Sequence, residues 1–320
     1  MAEQAPSTPP GQTPADGAPE PGWEEWLRQR PRLLDGAMGS QLLQRGVASA
    51  TTLWGVGALV HDPQAVLQLH RDYVAAGCEV LTANTFRVSP YALRRFPRYP
   101  QAWELAQTAV TLARQAAAEA PRPVRVLASM TTLEDCYRPD LAPDDLTLRE
   151  AHRHTAHILA QASPDGLLLE TFNSIREARI ACEAARATGL PVLICFACQS
   201  GGRLLSGERA AEAAKAVTLP GVVAIGVNCT RLVDLVPALT QMAAVSPLPL
   251  VAYANNGWYD EASPHLAAAK VPPQEYARCM LGCLAAGARL VGGCCGTTPE
   301  DMAALRALLD QHFPEATMAP

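Results

Sequence analysis

RLVGGCCGTTPED, residues 289–301, decides how the rest of the chain is read. Its first residues form a short apolar run of the kind that fills a strand buried on both faces. A glycine-flanked pair, Cys294 and Cys295, follows at once. Thr298, Pro299, Glu300 and Asp301 then open a helix, with a capping hydroxyl, proline at the first position and acids in the first turn. The stretch therefore reads as strand, chemistry-bearing turn, helix.

The same theme recurs toward the N-terminus. Apolar runs at 32–35, 79–83, 124–129, 166–170, 192–196, 222–227 and 250–253 join the one at 289–292 to make eight. Helical patterns lie between them at 63–76, 173–188, 208–217, 232–245 and 272–286. The first carries Val66, Leu69, Tyr73 and Val74 on one stripe and is stopped by Gly77. Residues 45–62 and 131–145 are insertions. Such alternation predicts an α/β fold around a parallel sheet. A doubly wound open sheet would alternate in the same way; the count of eight favours a (β/α)8 TIM barrel as a single domain over 23–313. Residues 1–22 carry six prolines and no apolar pattern, and are expected to be a disordered Pro/Ala-rich tail. Residues 314–320 are expected to be a flexible C-terminus.

Composition narrows the function. The 320 residues carry a net charge of -5 with no block of like charge, which gives no footprint for nucleic acid. No run approaches the ~18 apolar residues of a membrane span, and no basic start precedes an apolar stretch, so neither a membrane helix nor a secretory signal is expected. Several of the ten cysteines (Cys195, Cys198, Cys279, Cys283) sit in apolar runs as small hydrophobes, which favours a reducing cytoplasm.

In a barrel, chemistry belongs at the C-terminal strand ends. The polar residues gather there. Asp35 and Gly36 follow the first run, Asn84 the second, Ser129 the third and Glu170 the fourth; Asn228 and Cys229 follow the sixth, and Cys294 and Cys295 the eighth. Cys229 is separated from the cysteine pair by 64 residues, yet all three face one mouth. Adjacent cysteines in a regular strand point to opposite faces, and the flanking glycines let the backbone leave that geometry. Three thiolates suit Zn²⁺, and three protein ligands leave a fourth position open, as in catalytic rather than structural sites. A substrate thiol bound there would lose its proton, whereas a free thiol is only a few per cent ionised at neutral pH. That is chemistry for alkyl transfer to sulfur. Buried filler or a vicinal disulfide is the competing reading of the same cysteines.

LLDGAMGSQL (33–42), LTANTF (81–86), EDCYRPD (134–140), ETFNSIREA (170–178), GRLLSGE (202–208), GVNC (226–229) and GGCCGTTPEDM (292–302) give the chain a wider likeness. Over about residues 31 to 310 it resembles the homocysteine S-methyltransferase family, which includes betaine–homocysteine and S-methylmethionine-dependent enzymes and the homocysteine-binding module of cobalamin-dependent methionine synthase. The resemblance implies a barrel with Zn²⁺ on Cys229, Cys294 and Cys295. It also implies that Asp35, Gly36 and Glu170 hold the amino acid end of homocysteine, with Glu170 on the ammonium. Asn228 is a candidate donor to a metal-bound sulfur, and Asn84 and Ser129 are further substrate contacts. The segments ASMTTLEDC and YANNGWYD depart from the family pattern on the side that shapes the methyl-donor pocket.

These readings converge on a zinc-dependent methyltransferase that makes L-methionine from L-homocysteine and a small sulfonium or betaine donor. A separate corrinoid protein supplying methylcobalamin is an alternative partner. A non-catalytic zinc-thiolate protein that binds thiols or metal is the alternative from another class. Trp258 and Tyr259 are candidates to cage a cationic donor, with loop packing as their other use. His152, His154 and His157 have the look of a metal cluster but are expected on a solvated outer helix face.

Overall fold

The computed structural model describes residues 21–47, 53–257 and 269–314. Most of the N-terminal tail, residues 315–320, and Trp258 and Tyr259 lie outside the described residues. The strands are β1 (Arg32–Leu33), β2 (Val80–Ala83), β3 (Arg125–Met130), β4 (Gly166–Phe172), β5 (Val192–Phe196), β6 (Cys198–Gln199), β7 (Arg203–Leu204), β8 (Val222–Arg231), β9 (Leu250–Asn255) and β10 (Ala288–Gly293). The helices are α1 (Trp23–Gln29), α2 (Gly39–Gln44), α3 (Val56–His61), α4 (Pro63–Ala75), α5 (Pro90–Leu93), α6 (Ala102–Ala118), α7 (Asp145–Gln161), α8 (Ile175–Arg186), α9 (Ala210–Val217), α10 (Leu232–Ala243), α11 (Pro273–Ala285) and α12 (Pro299–His312).

Eight of the strands pair in the order β1-β10-β9-β8-β5-β4-β3-β2, all parallel. A parallel Leu34–Val80 bridge and the Asp35 N–H to Val80 carbonyl bond (3.0 Å) close β1 onto β2. The fold is thus a TIM barrel. β6 and β7 form a separate antiparallel hairpin above the sheet, with the turn at 200–202 between them.

Two hydrophobic layers hold it together. Alternate strand residues such as Leu127, Leu168, Leu193, Val251 and Leu290 fill the barrel interior, and Trp23 and Leu27 of α1 pack beneath them. The opposite faces pack against the helix ring, where Leu69, Tyr73, Leu105, Phe172, Tyr276 and Leu305 are buried. Helix starts follow the local chemistry. Asp62 accepts the Ala65 N–H ahead of Pro63, and Thr298 with Asp301 forms a reciprocal cap ahead of Pro299.

Two expectations change. The first strand is only Arg32–Leu33, whereas β8 runs beyond 227 to Arg231. The solvated-face reading holds for His154 and His157 but not for His152, which is wholly buried and shares a 3.0 Å hydrogen bond with Glu177. α7 packs that side against α8, so position 152 falls on its inner face. Among the described residues no helix is long and apolar enough to cross a membrane.

Candidate active site

Strand alternation carries the interior pattern up to the mouth. Ser129, Glu170 and Tyr253 each lie two residues beyond an interior core residue (Leu127, Leu168 and Val251), and Asn228 and Cys294 lie four beyond Ala224 and Leu290. The same face that is leucine and valine in the barrel becomes carboxylate, amide, phenol and thiol at its C-terminal end. A cavity of about 630 Å³ opens there. Eight of the nine residues picked from sequence line it: Asp35, Gly36, Asn84, Ser129, Glu170, Cys229, Cys294 and Cys295. Asn228 does not; it stands fully buried behind them.

The three cysteine sulfurs lie within 4.8 Å of one another, the one such cluster of potential metal ligands among the described residues. Cys229 Sγ is 3.6 Å from Cys295 Sγ. Tetrahedral Zn–S bonds of ~2.3 Å would set sulfurs roughly 3.8 Å apart, so the donor set has the spacing such an ion needs. Local backbone distortion makes this possible. Cys229 has a left-handed φ of +49°, where the β8–β9 register shifts between Asn228 and Arg231. The pair is fixed by the Cys294 N–H to Ala254 carbonyl bond (2.8 Å) and by the Asn256 N–H to Cys295 carbonyl bond (2.9 Å). Gly296 then turns the chain at φ +79°, a conformation that favours glycine. The thiols share protons: hydrogen bonds from Cys294 and Cys295 hold Cys229 well below the usual thiol range, and the same bonds push the other two up. The cluster can hold a metal ion, and doing so would release those protons.

Asn228 ties two irregular strand ends together. Its Oδ1 accepts the Thr171 N–H (2.8 Å) and its Nδ2 donates to Thr171 Oγ1 (2.9 Å), where Thr171 has φ +61°. The same Nδ2 lies 4.0 Å from Cys294 Sγ, at the long limit of a bond to sulfur.

Two buried carboxyls face the cavity with neutral partners. Asp35 Oδ2 accepts the Thr82 N–H (2.7 Å), and burial pushes its carboxyl well above the usual range, with Glu170 adding repulsion. Glu170 accepts from the Tyr253 hydroxyl (3.2 Å) and from Ser129, yet burial raises it to about 7. Among the described residues no cationic side chain lies at ion-pair distance from either. Gly36 gives the close approach beside Asp35: a Cβ there would lie 2.8 Å from Tyr73 Oη and 2.9 Å from Thr297 Oγ1. Asn84 Nδ2 donates to the Gly55 carbonyl (3.0 Å), which fastens the 53–55 turn to the cavity wall.

Sequence reading missed Tyr137 and Tyr253. Tyr253 sits in the seventh run, two places beyond an interior valine, so strand periodicity could have found it. Tyr137 belongs to the 131–145 insertion and lies within EDCYRPD, yet its hydroxyl sits 2.9 Å from Cys229 Sγ. Phe86, Phe96 and Trp54 also line the cavity and give it an aromatic side.

A parallel barrel whose mouth pairs a three-thiol cluster with buried carboxyls defines a class of enzymes that work on a thiol at a metal. The homocysteine S-methyltransferase family model matches residues 32–309, and the chain belongs to that family. It is 32% identical over 302 residues to homocysteine S-methyltransferase of Escherichia coli, covering 86% of this chain and 94% of the relative. It is 26% identical to homocysteine S-methyltransferase 1 of Brassica oleracea, covering 85% and 91%. The crystal structure of the metallated homocysteine methyltransferase MmuM from Escherichia coli superposes with a TM-score of 0.77 at 30% identity, covering 88% of this chain and 97% of that one.

Proposed function

We propose that this protein transfers a methyl group to the thiol of L-homocysteine to give L-methionine, with Zn²⁺ held by Cys229, Cys294 and Cys295. One observation carries the reading: a three-sulfur cluster shares its cavity with two buried carboxyls that lack a cation. An amino acid with a thiol side chain complements both. When bound, the ion would supply the acidity that turns the substrate thiol into a thiolate near neutral pH.

The chain's own residues do the rest. Glu170 takes the substrate ammonium, held toward it by Tyr253 and Ser129, with the Asp35 carboxyl facing the same cavity. Gly36, kept small by Tyr73 and Thr297, brings its backbone close to the substrate carboxylate. Asn228 braces the Cys294 side of the cluster through Thr171. The substrate sulfur, fixed at both ends, forms its bond to the methyl carbon as the donor's bond to that carbon breaks, and the donor leaves one positive charge lighter. The aromatic wall of Trp54, Phe86 and Phe96 suits a small cationic donor, a sulfonium or a betaine. All ten cysteines are free, as a reducing compartment such as the cytoplasm would keep them.

The test is methionine formation by zinc-loaded protein from homocysteine with S-methylmethionine, S-adenosylmethionine, glycine betaine or methylcobalamin in parallel, with Cys294→Ala as control. Methionine from a sulfonium or betaine, lost in the control, is expected. One equivalent of zinc with no methionine from any donor would overturn the reading, and turnover with methylcobalamin alone would replace the donor.

A further inference from the structure

A methyl donor in this cavity meets more than one nucleophile. Cys229, Cys294 and Cys295 line the same space as the substrate thiol, and each metal-ligating sulfur is a thiolate. A methylated ligand is a thioether, so a single misdirected transfer would spoil the centre. A hydrogen bond to a thiolate engages the lone pair that would attack carbon, and so lowers that sulfur's reactivity.

Tyr137 is placed to do this. Its Oη lies 2.9 Å from Cys229 Sγ, and against a thiolate the phenol is the partner that carries the proton. Apart from its bonds to the other two cysteines, Cys294 receives the 4.0 Å contact from Asn228.

The loop that presents Tyr137 is fastened at successive points. Asp135 Oδ1 accepts the Tyr137 N–H (2.9 Å), and Asn173 Nδ2 donates to the Cys136 carbonyl (3.1 Å). Glu177 Oε1 accepts the Leu133 N–H (2.8 Å) and is itself held by His152 at 3.0 Å. Glu177 and His152 are at most 1% exposed. A buried carboxyl and a buried imidazole thus fix the loop that brings the Tyr137 hydroxyl to the cluster.

We infer that Tyr137 is a positioning residue that directs the methyl group, its hydroxyl bonded to Cys229 Sγ so that the substrate sulfur, not the ligand, is alkylated. This rests on reading the three cysteines as a metal-thiolate centre.

Iodomethane tests it without any assumption about the natural donor. Zinc-loaded wild type and Tyr137→Phe are treated in the absence of homocysteine. At each modified cysteine an S–C bond forms, the C–I bond breaks and iodide leaves. Peptide mass mapping gives the methylation of Cys229 relative to exposed Cys279. The variant keeps the ring and loses only the hydroxyl. The ratio is expected to rise about tenfold, the scale of one hydrogen bond to a charged sulfur. In cobalt-loaded protein the sulfur-to-metal charge-transfer band is expected to move to lower energy while one equivalent of cobalt is retained. An unchanged ratio, new methylation confined to Cys294 or Cys295, or loss of metal from the variant would each overturn the inference. Absence of methionine from every donor would sink the proposed function and leave this ratio readable.

Discussion

The two ends of the barrel bury acids in opposite ways. At the bottom, Glu79 is 2% exposed and is met by three guanidiniums: Arg30 at 2.6 Å, Arg32 at 2.9 Å and Arg306 at 3.0 Å. At the mouth, Asp35 and Glu170 are nearly as buried, but only hydroxyl and amide donors face them. The bottom carboxylate has its cations within the fold. The mouth holds buried carboxyls and thiols whose partners have to come from outside, which is what a binding site requires and what a stabilising network avoids.

The largest effect should come from the cluster itself. Cys294→Ala removes one of three sulfurs. Metal content is expected to drop from about one equivalent, and methionine formation to fall at least about a thousandfold, with the melting temperature of the metal-free protein little changed. Retained turnover in this variant would place the chemistry elsewhere.

A pair of substitutions then tests the comparison directly. Glu79→Gln leaves buried guanidiniums short of charge and is expected to cost about 3–5 kcal/mol of stability. In the protein that remains folded, the KM for homocysteine should hold. Glu170→Gln should do the reverse. It removes a buried carboxyl without a cation, so the melting temperature at pH 8 stays level or rises, while kcat/KM falls roughly a hundredfold for loss of the ammonium partner. Denaturation and kinetics on both variants decide it. Equal losses of stability in the two would erase the distinction between the ends.

Acidity separates the ends more finely. Glu170 is raised from 4.5 to about 7 by burial. The folded protein therefore binds that proton more tightly than the unfolded chain does. The resulting stability is fully present below about pH 4.5 and is lost as pH rises through about 7, about 3 kcal/mol in total. Binding of an ammonium runs the other way, since it needs the carboxylate: KM for homocysteine should fall over the same rise in pH. Stability and affinity thus move in opposite directions, and Glu170→Gln should flatten the stability limb. Parallel stability profiles for wild type and variant would show that Glu170 does not titrate there.

The barrel was legible because a parallel strand covered on both faces leaves an apolar run, and eight such runs survive in the sequence. The site was legible where it continues those strands: Glu170 follows the fourth run and Cys294 the eighth. What could not be read were departures from regular backbone. Nothing in GVNC announces that Cys229 takes a left-handed φ, yet that turn brings its sulfur to Cys295. Tyr137 sits in a segment without periodicity and is placed by a contact from nearby Asp135 and by contacts from Asn173 and Glu177, which are distant in sequence. His152 was misjudged because a helix on the outside of a barrel still has an inner face, and its pairing with Glu177 of the next helix is a tertiary fact.

The smallest expected effect isolates one hydroxyl. Tyr253 Oη donates to Glu170 Oε2 at 3.2 Å and favours the ionised carboxylate. In Tyr253→Phe the ring still fills its place beside Val251 in the interior. Loss of the bond should cost the carboxylate about 1 kcal/mol, which moves the acidic limb of the KM profile upward by somewhat less than one pH unit and leaves kcat at high pH nearly unchanged. The corresponding change at the bottom, Arg30→Lys, trades a guanidinium for an ammonium beside Glu79 and should leave that pH profile where it is. A shift of equal size in both variants would mean that the two acids communicate through the barrel; a shift in Tyr253→Phe alone ties the titration to the mouth, where the substrate ammonium is proposed to bind.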